Sequence, residues 1–224
     1  MGCAVATSKP KRRRKGLSTA RPYGELSEEA KARARDWYRC QEWRWDSADS
    51  EMLTEWMEGE LEEVYGIEVS TRTQRYANGK THQAPDIEWS LSYCQGDGVN
   101  FKATPDLAKM AEKNDTIQEI MRAVELLEAA SDWQYPPQWY ASFDRGGGHV
   151  TLEYQDAVGD AQRVLDELCV ALEAELEQVY KQACRRLEKA GYAEIEYHDS
   201  DEYIGDFLEN NDHYLFTEEG EFDS

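Results

Sequence analysis

Apolar residues recur along this chain with two periods, and each change of period marks an element. Ala30, Ala34, Trp37 and Tyr38 fall three and four apart, which predicts a helix. Ser27 stands before them as an N-cap, with Glu28 and Glu29 at the positive end of the dipole. Leu53, Trp56, Met57, Leu61 and Val64 predict a second helix from about Ser50, ended by Gly66. "IEVST" (67–71) alternates as a short strand. Residues 72–86 are polar, contain Asn78-Gly79 and Pro85, and read as a loop or a weak hairpin tip.

From Ile87 the period is two. Ile87, Trp89, Leu91 and Tyr93 share one face, and Val99, Phe101 and Ala103 resume it after the turn around Gly96-Asp97-Gly98. This is the pattern of an antiparallel hairpin. A helical region opens at Pro105-Asp106, breaks near Asn114-Asp115-Thr116, and continues through Ile117, Ile120, Met121, Val124 and Leu127 until Pro136-Pro137. A second hairpin follows: Trp139, Ala141 and Phe143 alternate, Arg145–Gly148 turns, and Val150, Leu152 and Tyr154 alternate again. Residues 160–190 then form a long amphipathic helix of about 45 Å, closed by Gly191. The reading is an α+β fold: an antiparallel sheet of four to five strands, built from two glycine-turn hairpins and packed by amphipathic helices on one face. Two hairpin-then-helix units are compatible with a degenerate repeat or with a common motif used twice. The expected organisation is a disordered leader (1–22), an α+β domain (23–193) and a partly docked acidic segment (194–224).

Composition changes this picture through charge. The 224 residues hold 25 basic and 46 acidic side chains, a net of −21. Seven of the basic ones lie in the first 22 residues with no acid among them, so the remainder has 18 against 46, or −28. From Glu194 onward there are twelve carboxylates and no Lys or Arg. Such a body repels nucleic acid and attracts basic protein surfaces, so the expected partner is a basic protein. The leader is the exception. Lys9, Lys11, Arg12, Arg13, Arg14 and Lys15 form a candidate nucleic-acid arm, against the plainer reading of a disordered cationic arm that leans on the acidic body. Its Met-Gly start has Ala6 where a myristoylation motif wants Ser or Thr. No run approaches the roughly 18 apolar residues of a membrane span, and no apolar stretch near the start suggests a secretory signal. A cytoplasmic protein is expected; nothing fixes its oligomeric state.

Candidate chemistry is sparse. Gly96-Asp97-Gly98 lacks the lysine and the following helix of a phosphate loop, and a strand follows it instead. It reads as a turn whose Gln95 and Asp97 are candidate recognition residues. Arg145 and His149 flank the second glycine turn and are the other candidates, since an arginine beside flexible amides suits an anion. The four histidines (His82, His149, His198, His213) form no HxxxH pair, and "HDSDE" (198–202) lacks the spacing of a calcium loop and reads as a solvated acidic segment. The five cysteines are scattered without a CxxC pair, as buried free thiols in a reducing compartment would be. No catalytic residues, metal or cofactor are expected, and the chain reads as a non-enzyme. The alternative is a small ligand-binding or enzymatic domain that uses the Gly96–Gly98 and Arg145–His149 turns as one site.

Three stretches resemble a family. "YGELSEEAKARARDWYR" (23–39), "WSLSYCQGDGVNF" (89–101) and "NNDHYLFTEEGEF" (210–222) are similar, in this order, to phage- and plasmid-borne proteins labelled antitoxins of a toxin–antitoxin stability system. The chain departs from that pattern at Tyr93-Cys94 before Gln95, and in its basic leader. The resemblance implies a mobile-element accessory protein and carries no catalytic residues with it.

Overall fold

The computed structural model describes residues 20–41, 47–75 and 79–223. In chain order the elements are β1 (Arg21–Pro22), a 3-10 turn (Tyr23–Glu25), α1 (Glu28–Arg39), α2 (Ser47–Tyr65), β2 (Thr71–Arg75) and β3 (Thr81–Pro85). There follow β4 (Ile87–Ser90), β5 (Gly98–Phe101), α3 (Leu107–Ala111), α4 (Asp115–Ala129), β6 (Gln138–Asp144) and β7 (Gly147–Glu153). The chain closes with α5 (Asp160–His198), α6 (Asp201–Glu209) and β8 (Leu215–Phe216). The fold is α+β, as the two periods imply.

Helices begin where a short polar side chain can take up a free amide. Ser27 Oγ accepts from Ala30 N (3.3 Å), Asn114 Oδ1 from Ile117 N (3.0 Å) and Ser200 Oγ from Tyr203 N (3.1 Å). The break at Asn114 is therefore a cap between α3 and α4. Ser200 and Asp201 lie in the "HDSDE" run, which is not the solvated acidic segment its composition suggests. It starts α6, and Asp201 pairs with Arg35 (3.2 Å) and Arg39.

The described residues form two compact units, one from the ends of the chain (20–41 and 196–223) and one from 47–195. In the terminal unit β1 pairs antiparallel with β8, Arg21 opposite Phe216. Tyr23, Ala30, Ala34, Tyr38, Ile204, Leu208 and Phe216 make its core, and Trp37 stacks on Phe222 with ring centroids 4.3 Å apart. Residues 23–41, expected within an α+β domain of 23–193, pack in this unit with the acidic C-terminal residues 196–223. Aromatic and apolar residues interleaved with the carboxylates are what allow so acidic a stretch to fold. The basic leader residues Lys9–Lys15 lie outside the described residues.

The central unit departs from the single sheet expected. β2–β3, β4–β5 and β6–β7 are separate two-stranded antiparallel hairpins. Among the described residues they are joined along the main chain only sparsely: by isolated bridges of Val69 with Ala103 and of Ala103 with Phe143, where Phe143 N donates to Ala103 O at 2.8 Å, and by bonds from Asp86 N to Ser70 O (2.7 Å) and from Lys102 N to Asp86 O (3.0 Å). Pro105 stops the extended run just past Ala103, so this junction cannot lengthen into a ladder. The polar stretch 72–86 forms β2–β3, a true hairpin where a loop or weak tip was expected.

One core unites these pieces. Phe101 meets Phe143 and Tyr180 with ring centroids 5.6 and 4.8 Å apart, and Leu172, Leu176, Ala183 and Leu187 of α5 are wholly buried with Met57, Leu61 and Ile117. The helix does not end at Gly191 but continues to His198. A Cβ at position 191 would sit 2.4 Å from Leu91 Cδ1 and 3.2 Å from Met57 Cε. The glycine is a packing notch inside the helix, not a stop.

Gly191→Ala should lower the melting temperature, by about 1–3 kcal/mol of overpacking, despite the better helix propensity of alanine. Gly59→Ala on α2, where a Cβ meets nothing within 4 Å, should instead gain up to about 1 kcal/mol. Thermal melts of the two variants check the pair; a Gly191→Ala protein as stable as the parent contradicts the notch. In the terminal unit Phe216→Ala should cost about 3–5 kcal/mol, read by chemical denaturation of the full chain.

Candidate functional site

The opening motif is a loop built around one carboxylate. Ser90 pairs with Gly98 at the end of the β4–β5 ladder, so Leu91 to Asp97 form the connection, longer than a turn confined to Gly96-Asp97-Gly98. Leu91 is buried and anchors one side of it. Asp97 Oδ2 accepts from Ser92 N (2.7 Å), Cys94 N (2.9 Å) and Tyr192 OH (2.6 Å). Its Oδ1 accepts from Ser92 Oγ (2.9 Å), Ser90 Oγ (3.1 Å) and Cys94 Sγ (3.3 Å). The hydrogen bond from Tyr192, then those from the loop, hold the Asp97 carboxyl far below the usual carboxylate range. The same bond to Asp97 pushes the Tyr192 phenol up to about 12. A carboxylate with both oxygens occupied by donors is a poor general base, and its role is to order the loop.

That ordering presents Tyr93. Its φ of 58° is in the left-handed region, unusual for a side-chain-bearing residue, and its ring is 64% exposed while packing over Tyr192 at 4.6 Å between centroids. Gln95 and Gly96 are exposed beside it, with Gly96 at φ 114°. The sequence placed Gln95 and Asp97 correctly in one loop but did not reveal Tyr192, ninety-five residues away from Asp97. The missed signal is the pairing of Gly191 with Tyr192: the notch admits Leu91 and the phenol then reaches Asp97.

Arg145 and His149 stand elsewhere. β6 and β7 join through a two-residue turn, Arg145-Gly146, with Asp144 opposite Gly147. Asp144 Oδ1 accepts from Gly146 N (2.8 Å) and lies 3.3 Å from His149 Nε2. Arg145 is not free for an anion; it pairs with Glu88, which also binds Arg72 at 3.1 Å. The bridge from Phe143 to Ala103 puts this turn beside the open end of β4–β5, opposite the Asp97 loop. The two glycine turns therefore do not converge on one site. Among the described residues no group of three or more His, Cys, Asp and Glu could hold a metal ion.

Concavity occurs instead between α2 and the β2–β3 hairpin. A groove of about 690 Å³ is lined by Ser50, Glu51, Thr54 and Glu55 of α2, by Arg72 and His82 of the hairpin, and by Ile87, Glu88 and Trp89 of β4, among others. Trp89 Nε1 donates to Thr54 Oγ1 at 3.0 Å, which ties β4 to α2. The groove has no signature in the sequence, because its walls come from α2, the β2–β3 hairpin and β4, each of which reads separately as an ordinary amphipathic element.

A family model described as a domain of unknown function, DUF8835, matches residues 51–206. The chain belongs to the DUF8835 family. The matched span holds the Asp97 loop, the Arg145 turn, most of the groove and all of α5; the basic leader lies outside it. No curated protein and no solved structure matches the chain. Among the described residues no helix is long and apolar enough to cross a membrane. Nor are all the thiols of this DUF8835 chain buried: Cys40 and Cys94 are exposed, while burial pushes the half-buried Cys184 up to about 11. Cys3 lies outside the described residues.

A carboxyl whose pKa is depressed by folding stabilises the fold above its unfolded value, about 3.9, and that contribution is lost as pH falls through the folded value. Asp97→Asn should therefore lower the melting temperature at neutral pH and flatten the acid limb of the melting profile below about pH 4. Melts across pH for both proteins check this. An acid limb unchanged by the substitution contradicts the hub role.

Proposed function

We propose that this protein is a non-enzymatic, acidic accessory protein of a phage or other mobile element, acting in the cytoplasm of a bacterial host. It binds and neutralises a basic protein, a toxin or a nucleic-acid-acting defence protein, with carboxylates standing where that partner would take phosphates. The observation that carries the reading is the net charge of −28 after the first 22 residues.

The placement of that charge supports it. α2 has seven acidic side chains and no basic one in 19 residues. Glu51, Glu55, Glu62 and Glu63 are exposed and make no ion pair with a described residue. On α6, Glu202, Asp206 and Glu209 are exposed at i, i+4 and i+7, a stripe along one face. Unpaired carboxylates in a row repel one another and cost stability unless a cationic surface answers them. Met52 and Trp56, 58% and 42% exposed and one turn apart on α2, give such a surface an apolar anchor. The three stretches that resemble phage- and plasmid-borne antitoxins favour a toxin or a defence protein over other basic partners.

The test is affinity capture from lysate of a host carrying the element. At low salt the protein should retain a basic, nucleic-acid-acting protein. Added duplex DNA should release it, and so should about 0.5 M salt, where screening acts within a few ångströms. Recovery of no such protein, or capture indifferent to salt and to DNA, overturns the reading.

A further inference from the structure

The groove between α2 and the β2–β3 hairpin has a lining that selects among guests. Its formal charges are the carboxylates of Glu51, Glu55 and Glu88 against the single guanidinium of Arg72. Arg72 is already answered by Glu88 at 3.1 Å and Asp86 at 3.7 Å, and Glu88 is answered again by Arg145. Glu51 and Glu55 remain, one helical turn apart on the same side of α2, exposed and without an ionic partner among the described residues. Trp89 has donated its only N–H to Thr54, so what it offers a guest is ring surface. Paired carboxylates over an indole suit a cation on an apolar stem, which is the form of an arginine or lysine side chain.

The shape adds a second constraint. The groove is larger than one side chain needs, and β3 borders it from His82 to Pro85. Among the described residues β3 pairs with β2 along one edge and with no strand along the other. Such an edge beside a groove is where an extended segment gains main-chain hydrogen bonds, with alternate side chains dropping into the groove.

We propose that this groove is the docking site for an extended basic segment of the partner protein, with one arginine or lysine side chain seated over Trp89 between Glu51 and Glu55. The proposal rests on the acidic-binder reading above and says which part of the surface does the binding.

The test uses the full-length protein and a short oligo-arginine peptide at low salt, with free arginine amide as the small-cation comparison. Binding is followed by the indole N–H resonance of Trp89, assigned by its loss in Trp89→Phe, and by calorimetry. The expected result is a saturable shift of that resonance and an affinity for the peptide above that for arginine amide. Glu51→Gln/Glu55→Gln should weaken the peptide by about tenfold or more. Glu119→Gln/Glu125→Gln, which removes the same charge from exposed positions of α4 outside the groove lining, should change it by less than about twofold. Equal losses in the two double variants overturn the groove while leaving the acidic-binder reading in place. No binding of the peptide by the parent protein overturns both. Arginine amide bound as tightly as the peptide overturns the extended segment, because the groove is then a small-cation pocket.

Discussion

The central unit depends on how closely two hairpins approach the backbone of α5. At Gly148, a Cβ would lie 2.7 Å from the main-chain carbon of Leu176, and at Gly191 it would lie 2.4 Å from Leu91 Cδ1. At Gly148 the obstacle is main chain and cannot give way, and at Gly191 the Leu91 side chain would have to move, so β6–β7 and the Leu91–Asp97 loop are both seated closely on the helix. Between these two points Leu176, Ala183 and Leu187 are wholly buried. The helix serves as a rail on which β4–β5 and β6–β7, which share almost no ladder hydrogen bonds, are seated, while β2–β3 lies beside α2. Packing against α5, more than strand pairing, unites these two hairpins.

The loop chemistry follows from the same contact. Leu91 enters the notch at Gly191, Tyr192 then reaches Asp97, and Asp97 collects the remaining donors of the loop. What looks in isolation like an exposed acid between two glycines is an acceptor whose lone pairs are occupied. The result is an ordered, tyrosine-bearing surface loop built around an occupied carboxylate. The same logic separates the carboxylates of the molecule into two kinds. Asp97, Asp144, Asp201 and Glu88 are consumed by donors or cations and hold structure together. The exposed carboxylates of α2 and α6 that make no ion pair with a described residue lie on helices whose opposite faces are in a core.

Much of this was legible in the amino-acid order. Ser27 and Asn114 announce helix starts, Pro136-Pro137 ends one, and the alternation from Ile87 and from Trp139 yields two hairpins with the buried faces assigned correctly except at Tyr93, which the loop turns out to solvent. These features depend on neighbours a few residues apart, where capping, backbone restriction and side-chain periodicity act. The charge of the body and the isolation of its cations at the start of the chain are likewise properties of the sequence alone.

Other features needed the tertiary structure. Alternation states which face of a strand is buried but not which edge pairs with what, so the hairpins could not be told from one continuous sheet. Gly191 carries the ordinary mark of a helix end, and only the side chain of Leu91, a hundred residues earlier in the chain, turns it into a notch. The acidic C-terminal stretch has the composition of a solvated tail. It folds because Phe216 and Phe222 find Tyr23 and Trp37 from the other end of the chain, a pairing that no local rule contains. The groove beside α2 belongs with these: its walls come from three elements, and each wall by itself reads as a plain amphipathic surface. Short-range physics therefore determined the elements and the charge, while contacts between distant segments decided how the hairpins assemble, what occupies Asp97 and where the groove opens.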